Sequence, residues 1–249
     1  MNATTAGVMQ RLKDATADLH TAAERSDFQQ IMIAGRMPRA GYVRFLEQML
    51  LVHAALERGM RGHAAAQPAI AQVVKDYQYQ EPYLLCDLAY FGVDPASVAP
   101  LTSTSRLLEH IAECATQRPL SLLGFHYVLE GSNNGSRFIA RSVQRALALE
   151  PGRGVTYLDP YGDALHARWA QFKTDMNAAT FSEADAAQIV VAAQAMFVGI
   201  TSIGEELLAV LEIAVPPDVR AAAAAAMGGS HAQGGGHHHH CHAEAAAAR

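Results

Sequence analysis

Residues 128–140 read VLEGSNNGSRFIA, and this stretch is the most informative part of the chain. It lies within a segment, about residues 119–149, whose apolar residues recur at helical spacing. Gly131 and Gly135 are four residues apart, so they share one face of the predicted helix. Each glycine inside a helix costs roughly 1 kcal/mol relative to alanine, and the pair favours a kink.

Two explanations for this pair of glycines are open. A neighbouring helix could pack backbone to backbone against the segment, which requires small residues at the contact. Alternatively, a flat ligand could lie directly on the exposed backbone. The first explanation is purely structural, whereas the second makes the stretch part of a binding site.

The rest of the chain predicts an all-α protein. Half of its 249 residues are hydrophobic, which is enough for the core of one domain. Alternating Val, Ile and Thr runs are missing, and no repeat of 20–50 residues is visible. We expect a single helical bundle over residues 1–217. Its long helices are predicted at about residues 5–25, 40–60, 119–149, 163–178 and 183–213, the last opened by a capping box of Ser182 and Asp185.

Residues 218–249 form a low-complexity tail of Ala, Gly and His that we expect to be flexible. The tail contains a possible metal or heme site, consisting of His237, His238, His239, His240, Cys241 and His242. An incidental low-complexity extension and an engineered extension are the alternatives.

Charge and composition exclude some classes of partner. The formal net charge of −5 gives no general attraction to nucleic acid or to anionic lipid. No continuous run of 18 apolar residues is present, so we expect no membrane span. Residues 1–10 lack the layout of a secretory signal, and three widely spaced cysteines do not indicate a disulfide framework. We therefore expect a cytoplasmic protein.

His20 is the first candidate ligand of a metal. Glu24 follows it by four residues, on the same helix face, and could accept a hydrogen bond from the second ring nitrogen of a metal-bound imidazole. Lys13 precedes His20 by two turns, within roughly 20° around the helix, and could pair with a carboxylate of a ligand. The alternative is an ordinary surface pair of histidine and glutamate.

These stretches together resemble the heme oxygenase family. Residues 12–24, LKDATADLHTAAE, resemble its proximal helix, and residues 127–135, YVLEGSNNG, resemble the distal helix of its bacterial members. The similarity continues at residues 172–177 and 195–207. It covers about residues 8–212.

The resemblance implies a heme held between these two helices, with His20 as the axial ligand of the iron and Glu24 as the partner of His20. By the same resemblance, the distal face comprises Gly131, Ser132, Asn134 and Gly135, and the propionates are held by Lys13, Tyr127 and Lys173. The implied reaction cleaves heme to biliverdin, CO and ferrous iron. It uses O2 and electrons from an external ferredoxin- or flavin-type reductase, and heme is both substrate and oxygen-activating group.

The chain also departs from the family pattern. Asn134 and Ser136 stand where bacterial members commonly carry an apolar residue and a Gly or Ala, so they add polarity beside the expected oxygen site. The resemblance assigns no role to Arg137. His53 resembles a family position near the distal water network, and the alternative for His53 is a satisfied histidine of the core.

Other functions compete with the oxygenase. A non-catalytic heme-binding or storage protein of the same fold is the main alternative, because the departures could have abolished turnover. A di-iron carboxylate oxidase needs Glu-x-x-His pairs on facing helices, and the sequence contains none. A hydrolase with a nucleophilic cysteine is disfavoured because Cys86 and Cys114 lack a flanking motif.

Overall fold

A computed structural model describes residues 7–228, and ten α-helices make up most of this part of the chain. The helices are α1 (Val8–Arg25), α2 (Asp27–Ile33), α3 (Arg39–His63), α4 (Pro68–Val73), α5 (Glu81–Tyr90), α6 (Thr102–Gln117), α7 (Leu122–Ala146), α8 (Leu165–Ala178), α9 (Glu183–Val210) and α10 (Val219–Gly228). Short 3-10 turns precede α7 and α8, at Pro119–Ser121 and Gly162–Ala164. No strand occurs within residues 7–228, and the prediction of a single all-α domain is confirmed.

The central element of the bundle is α9, which packs against α1, α6 and α7. The predicted capping box opens it: the amide of Asp185 donates to the hydroxyl of Ser182, and the amide of Ser182 donates to the Asp185 carboxylate. Its buried side chains include Ile189, Met196 and Ile203. These three residues recur every seven positions and so form one buried face, while Val191 and Val198 are exposed on another side of the helix.

The apolar character of α9 also bears on the expectation that the chain has no membrane span. By length and composition α9 would suffice to cross a membrane, with a mean hydropathy of 1.7 over its most apolar window, of which 33% is buried. A core helix of a bundle meets the same criteria, because it too is long and apolar. Length and composition do not establish a span, so its absence stays a prediction.

Two helices begin with capping groups that come from distant parts of the chain. The carboxylate of Glu206 in α9 accepts the amides of Thr102 and Ser103 at 3.0 and 2.7 Å, at the start of α6. The side-chain oxygen of Asn177 in α8 accepts the amide of Met9 at the start of α1, at 3.2 Å. Each contact provides a partner for amides that have none within their own helix.

The helices α1 and α9 run in the same direction. Near their beginnings, Arg11 pairs with Glu183 at 2.8 Å. Two to four turns further along, the ring of His20 lies edge-on to the ring of Phe197, with 5.9 Å between the ring centroids. The imidazole predicted to bind a ligand is therefore placed against the middle of α9.

The helix α7 also follows the direction of α9. Its first turn contacts α9 at Ile189, and its last turns reach the end of α2, where Ser142 lies beside Gly35. The start of α2 in turn packs on α9 further along, where Phe28 contacts Gly204. Both α1 and α7 therefore pack along α9 and run in the same direction as α9.

The tail begins with ordered structure. Arg36 forms a bidentate ion pair with Asp218, at 2.7 and 2.8 Å, and Val219 and Ala223 of α10 are buried beside α2. The boundary expected at residue 217 therefore falls inside the packed structure. The candidate site at residues 237–242 lies outside the described residues.

Backbone-to-backbone packing of helices occurs at a glycine that the sequence analysis did not single out. A Cβ atom at Gly124 would overlap the carbonyl oxygen of Ile189 and lie 2.9 Å from the amide nitrogen of Ala193. A Cβ at Gly131 would be in ordinary contact with the Trp169 side chain, at 3.5 Å, and one at Gly135 would meet nothing within 4 Å. Close helix packing therefore does not account for Gly131 and Gly135.

We expect the substitution Gly124→Ala to destabilise the protein by about 1–3 kcal/mol or more, because the obstructing atoms are backbone atoms of α9 and α7 must move away. Gly62→Ala, in α3, is the matched control, since a Cβ there meets nothing within 4 Å. The control should change stability by less than about 1 kcal/mol. Thermal unfolding followed by circular dichroism measures both, and equal melting temperatures for the two variants would contradict the close contact.

Candidate functional site

His20 lies on an open face of α1. Its side chain is 59% exposed, and its Nδ1 atom is 3.6 Å from the Glu24 carboxylate. That distance is too long for a hydrogen bond, so the predicted partners are adjacent but not bonded. The opposite edge of the ring remains available to a ligand, because Phe197 contacts the imidazole edge-on and leaves most of it exposed.

One turn before His20, α1 meets α7. Thr16 is buried and forms a hydrogen bond with Tyr127, which opposes the rise that burial causes in the pKa of Tyr127. Both helices run in the direction of α9. Beyond the contact between Thr16 and Tyr127 they therefore continue toward the same end of the bundle. The next turn contains His20 in α1 and Gly131 in α7.

The face of α7 beyond this contact is poor in side chains. Gly131, Gly135 and Phe138 share it by their spacing of four and three residues. Beside Gly135 there is open space, and the Phe138 ring is 37% exposed. An apolar ring and a bare backbone thus border open space on the face of α7 that, by its spacing, also carries Tyr127, which contacts α1.

The polar residues of this stretch bond to α7 itself. The Ser132 hydroxyl donates to the Leu129 carbonyl at 2.7 Å, and the Asn134 amide donates to the Gly131 carbonyl at 2.9 Å. The Ser136 hydroxyl is buried and lies 3.4 Å from the Asn133 carbonyl. Their donors are used within the helix, which reduces the polarity that Asn134 and Ser136 present to the open region. Such bonds back to the preceding turn bend helices, and α7 is continuous through both glycines.

Trp169 of α8 brings two of the predicted binding residues together. Its ring lies 6.1 Å from that of Tyr127, between centroids, and the Lys173 Nζ atom is 5.8 Å from its centroid. Its edge lies beside Gly131, 3.5 Å from where a Cβ atom would be. Lys13 is exposed on α1, on the face that carries His20, and the structure does not join it to this aromatic group.

Three aromatic residues of this region carried no role in the sequence analysis: Phe138, Phe197 and Trp169. Phe138 could have been found from its spacing to the glycines, and Trp169 lies one turn before Lys173 in the same helix. The contact of Phe197 with His20 depends on how α9 crosses α1, which a single sequence does not reveal.

A carboxyl group is buried directly behind the glycine stretch. Glu130 is 2% exposed, and its Oε2 atom accepts a hydrogen bond from the Tyr161 hydroxyl at 2.8 Å. Burial raises the pKa of Glu130 to about 7, against the opposing effects of Tyr161 and of the Arg168 charge. The same burial, together with the neighbouring Glu130, raises the pKa of Tyr161.

Arg137 gains a structural role that the sequence did not assign. It lies two turns after Glu130 on the same face of α7, and it forms ion pairs with Asp159 at 3.3 Å and with Asp163 at 3.2 Å. Its guanidinium is therefore bound to the loop before α8 and is not directed to a ligand.

His53 and His126 are buried on the same side of α7. The ring nitrogens of His53 lie 3.1 Å from Glu57 and 3.3 Å from the Tyr157 hydroxyl, so both have partners. These contacts favour the core-histidine alternative for His53. Burial, and next the nearby His53, lower the pKa of His126 to about 3, so His126 is neutral at physiological pH.

The residues of the open region fit a heme. These residues are an exposed imidazole on α1, a partly exposed apolar ring at Phe138 and a stretch of α7 with open space beside Gly135. Mostly apolar walls with a few placed polar groups are typical of cofactor sites, and a proximal histidine is a common axial ligand of heme iron. Within residues 7–228 no group of three or more His, Cys, Asp or Glu side chains is arranged for a bare metal ion.

The chain is similar to known proteins over most of its length. A family model described as heme oxygenase matches residues 6–205. Heme oxygenase 1 of Pongo abelii is 25% identical over 206 residues, which cover 80% of this chain and 71% of that protein.

Two solved structures share the fold. The heme oxygenase from Leptospira interrogans superposes with a TM-score of 0.75 at 21% identity, covering 81% of this chain and 100% of that one. Heme oxygenase-2 from Synechocystis sp. PCC 6803, solved with heme and NO, superposes with a TM-score of 0.79 at 19% identity, covering 88% of this chain and 93% of that one. Since the family match extends through α1, α7 and most of α9, this chain belongs to the heme oxygenase family.

Proposed function

We propose that this protein is a heme oxygenase that cleaves heme to biliverdin, CO and ferrous iron, using O2 and electrons from an external donor. The observation that supports the proposal is the open space beside Gly135, and we propose that this bare face of α7 and the exposed imidazole of His20 enclose the heme between them. A flat macrocycle needs such a pair: a ligand atom on one side and backbone without side chains on the other.

His20 is proposed as the axial ligand, acting through a ring nitrogen. Glu24, 3.6 Å from Nδ1, needs only a small rotation to accept that N–H, which fixes the tautomer and leaves Nε2 free to bind iron. When bound, heme supplies the oxygen-activating iron and is also the molecule cleaved. The protein supplies orientation and the exclusion of water.

The helix α7 is proposed to be the distal helix and to act through the absence of side chains at Gly131 and Gly135. At Gly131 and Gly135 no side chain offers an acid or a charge to the open region, and Asn134 donates to its own helix. Backbone and solvent are thus left to orient small molecules above the plate. With heme bound, α7 would limit the space open to O2, which would favour reaction at the porphyrin edge.

The orientation of the plate is proposed to depend on its propionates. Lys173 and Tyr127 flank Trp169, so a propionate beside this aromatic group meets a cation and a hydroxyl donor together. Lys13 is a second cation, on the face of α1 that carries His20. Charge-assisted hydrogen bonds of this kind are roughly twice as strong as neutral ones, which makes them suitable for fixing one orientation.

The remaining elements of the proposal concern partners. A ferredoxin- or flavin-type reductase is the proposed electron donor and the cytoplasm the proposed location. Neither nucleic acid nor a membrane is a proposed partner. The tail residues His237–His240, Cys241 and His242 are proposed to capture heme or released iron. If a chain truncated after Gly228 binds one heme and cleaves it at the unchanged rate, the tail has no such role.

The decisive experiment is one reductive turnover of the heme-loaded protein. Ascorbate or a ferredoxin-type reductase is added in air, and absorption and mass of the product are recorded. Loss of the Soret band with appearance of a bilin identifies an oxygenase. A stable ferrous-oxy complex that never degrades would instead identify the alternative, a heme-binding or storage protein.

We expect His20→Ala to weaken hemin binding by roughly tenfold or more and to abolish turnover, because the axial ligand is lost. Added imidazole should partly restore the ferric spectrum. His63→Ala, at the end of α3, is the control and should behave as the wild type. An unaltered ferric spectrum of His20→Ala would exclude His20 as the axial ligand.

We expect Gly135→Leu to leave the fold intact, since a Cβ there meets nothing within 4 Å, but to block O2 more strongly than heme entry. Turnover and the rate of O2 binding to the ferrous protein should fall severalfold. Gly62→Leu, which also extends into open space, is the control. Normal O2 binding by Gly135→Leu would show that Gly135 does not face the oxygen site.

A further inference from the structure

The glycine stretch of α7 is fastened to one loop segment at two points. Before the stretch, Glu130 accepts the hydroxyl of Tyr161; after it, Arg137 pairs with Asp159 and Asp163. Glu130 and Arg137 are seven residues apart and share one face of α7. They enclose Gly131 and Gly135 between them, so residues 159–163 span the back of the bare stretch.

This loop segment is itself fixed to the core. The buried carboxylate of Asp87 accepts the amide and hydroxyl of Thr156 and the amide of Tyr157, at 2.6–3.0 Å. Tyr42, fully buried in α3, donates to the Gly154 carbonyl at 2.8 Å. A segment held in this way can act as a fixed support for the part of α7 around Gly135, beside which no side chain packs.

We propose that Glu130 and Arg137 are positioning residues that hold the glycine stretch of α7 against residues 159–163, and that proton exchange at Glu130 shifts the position of this stretch. The positional part stands on the contacts above and does not require heme. Its consequence for heme rests on the proposed function.

The surroundings of Glu130 suit a neutral carboxyl better than a charged one. Its Oε1 atom is buried and has no hydrogen-bond partner, and the Nε atom of Arg168 in α8 is buried and unpaired as well. The Arg168 guanidinium is held 3.7 Å from the centroid of the Tyr77 ring and 5.4 Å from that of Tyr161, and its charge lowers the pKa of Glu130. The ionisable and charged groups that act on Glu130 are therefore Tyr161 from the loop and Arg168 from α8, and Tyr77 packs on both of them.

Ionisation of Glu130 would place an unpaired anionic oxygen beside a cation that is not in contact with it. An uncompensated buried charge is costly, so the ionised form draws Arg168 or water toward Oε1. Arg168 precedes Trp169, and Glu130 precedes Gly131, beside which the Trp169 ring lies 3.5 Å from where a Cβ atom would be. We therefore expect a shift of Arg168 relative to Glu130 to move Trp169 relative to Gly131 as well. Because the pKa of Glu130 is raised to about 7, this change falls within the physiological pH range.

Trp169 is the only tryptophan of the chain, so its fluorescence reports this contact directly. We expect the fluorescence of the full-length apoprotein to show a transition between pH 5 and 9 with a midpoint near 7. Glu130→Gln, which keeps the shape and removes the ionisation, should abolish the transition. His126, which packs on the Phe172 ring beneath Trp169, stays neutral over this range.

His166→Gln is the matched control, because His166 lies one turn before Trp169 in the same helix, α8. It should retain the transition of the wild type. Tyr161→Phe should raise the midpoint, because the Tyr161 hydrogen bond lowers the pKa of Glu130. A transition that persists in Glu130→Gln, or a wild type without any transition, would refute the proton-linked part.

The positional part has its own test in amide hydrogen exchange. We expect Arg137→Gln to increase exchange severalfold in α7 between residues 131 and 138, at any pH. Arg145→Gln is the control, since Arg145 is exposed and bonds to the carbonyl of Arg141 in its own helix. Equal exchange in both variants would show that the ion pairs with Asp159 and Asp163 do not hold the stretch.

The pH dependence of stability provides a further prediction. The folded-state pKa of Glu130, about 7, exceeds its ordinary value of 4.5, so its contribution is fully present below pH 4.5 and is lost as the pH rises through 7. The variant Glu130→Gln does not ionise, so it does not lose this contribution to stability as the pH rises. Its melting temperature relative to the wild type should therefore rise by several degrees between pH 5 and 8. A difference that is constant with pH would contradict a raised pKa.

The consequence for heme is measured separately. Hemin release to excess apomyoglobin should proceed at equal rates from the wild type and Glu130→Gln at pH 6, where both side chains are neutral. At pH 8 the wild type should release hemin severalfold faster. Equal rates at pH 8, together with a normal fluorescence transition, would show that the shift does not reach the ligand. Failure of both proteins to bind hemin would overturn the proposed function and leave the fluorescence result intact.

Discussion

The close contact of α7 with α9 at Gly124 is the constraint on which the geometry of the site depends. Because a Cβ would overlap the backbone of α9 there, the two helix backbones approach more closely than side chains normally allow. This contact fixes the start of α7, and the helix then extends along α9 toward α2. One turn after Gly124 comes Tyr127, which meets Thr16 of α1, and beyond that point Gly135 borders open space.

The two kinds of glycine in α7 therefore have opposite functions. Gly124 is required by the packing of the fold, whereas Gly135 lies where the fold would accept a side chain. A glycine inside a helix lowers the stability of that helix, and at Gly135 no close packing compensates for this cost. That contrast is the physical reason to regard the stretch after Tyr127 as a binding surface, independently of any resemblance to known proteins.

Much of the fold could be predicted from the sequence because local patterns determine it. The capping box of Ser182 and Asp185, the spacing of His20 and Glu24, and the long apolar helices are all short-range features. The contact at Gly124, the burial of Glu130 against Tyr161 and the edge of Trp169 at Gly131 join residues far apart in the chain, and no spacing rule reveals them. The helix α10 was missed for another reason: its alanines resemble a low-complexity segment, and only its packing on α2 shows that it belongs to the core.

The start of α6 has a consequence for the order in which the chain folds. The amides of its first turn are bound by Glu206, which follows Thr102 by 104 residues. Likewise, the first turn of α1 is completed by Asn177, 168 residues after Met9. Contacts at such separations form late, because a long loop must close first. During synthesis α1 and α6 therefore have incomplete first turns until α8 and α9 have left the ribosome.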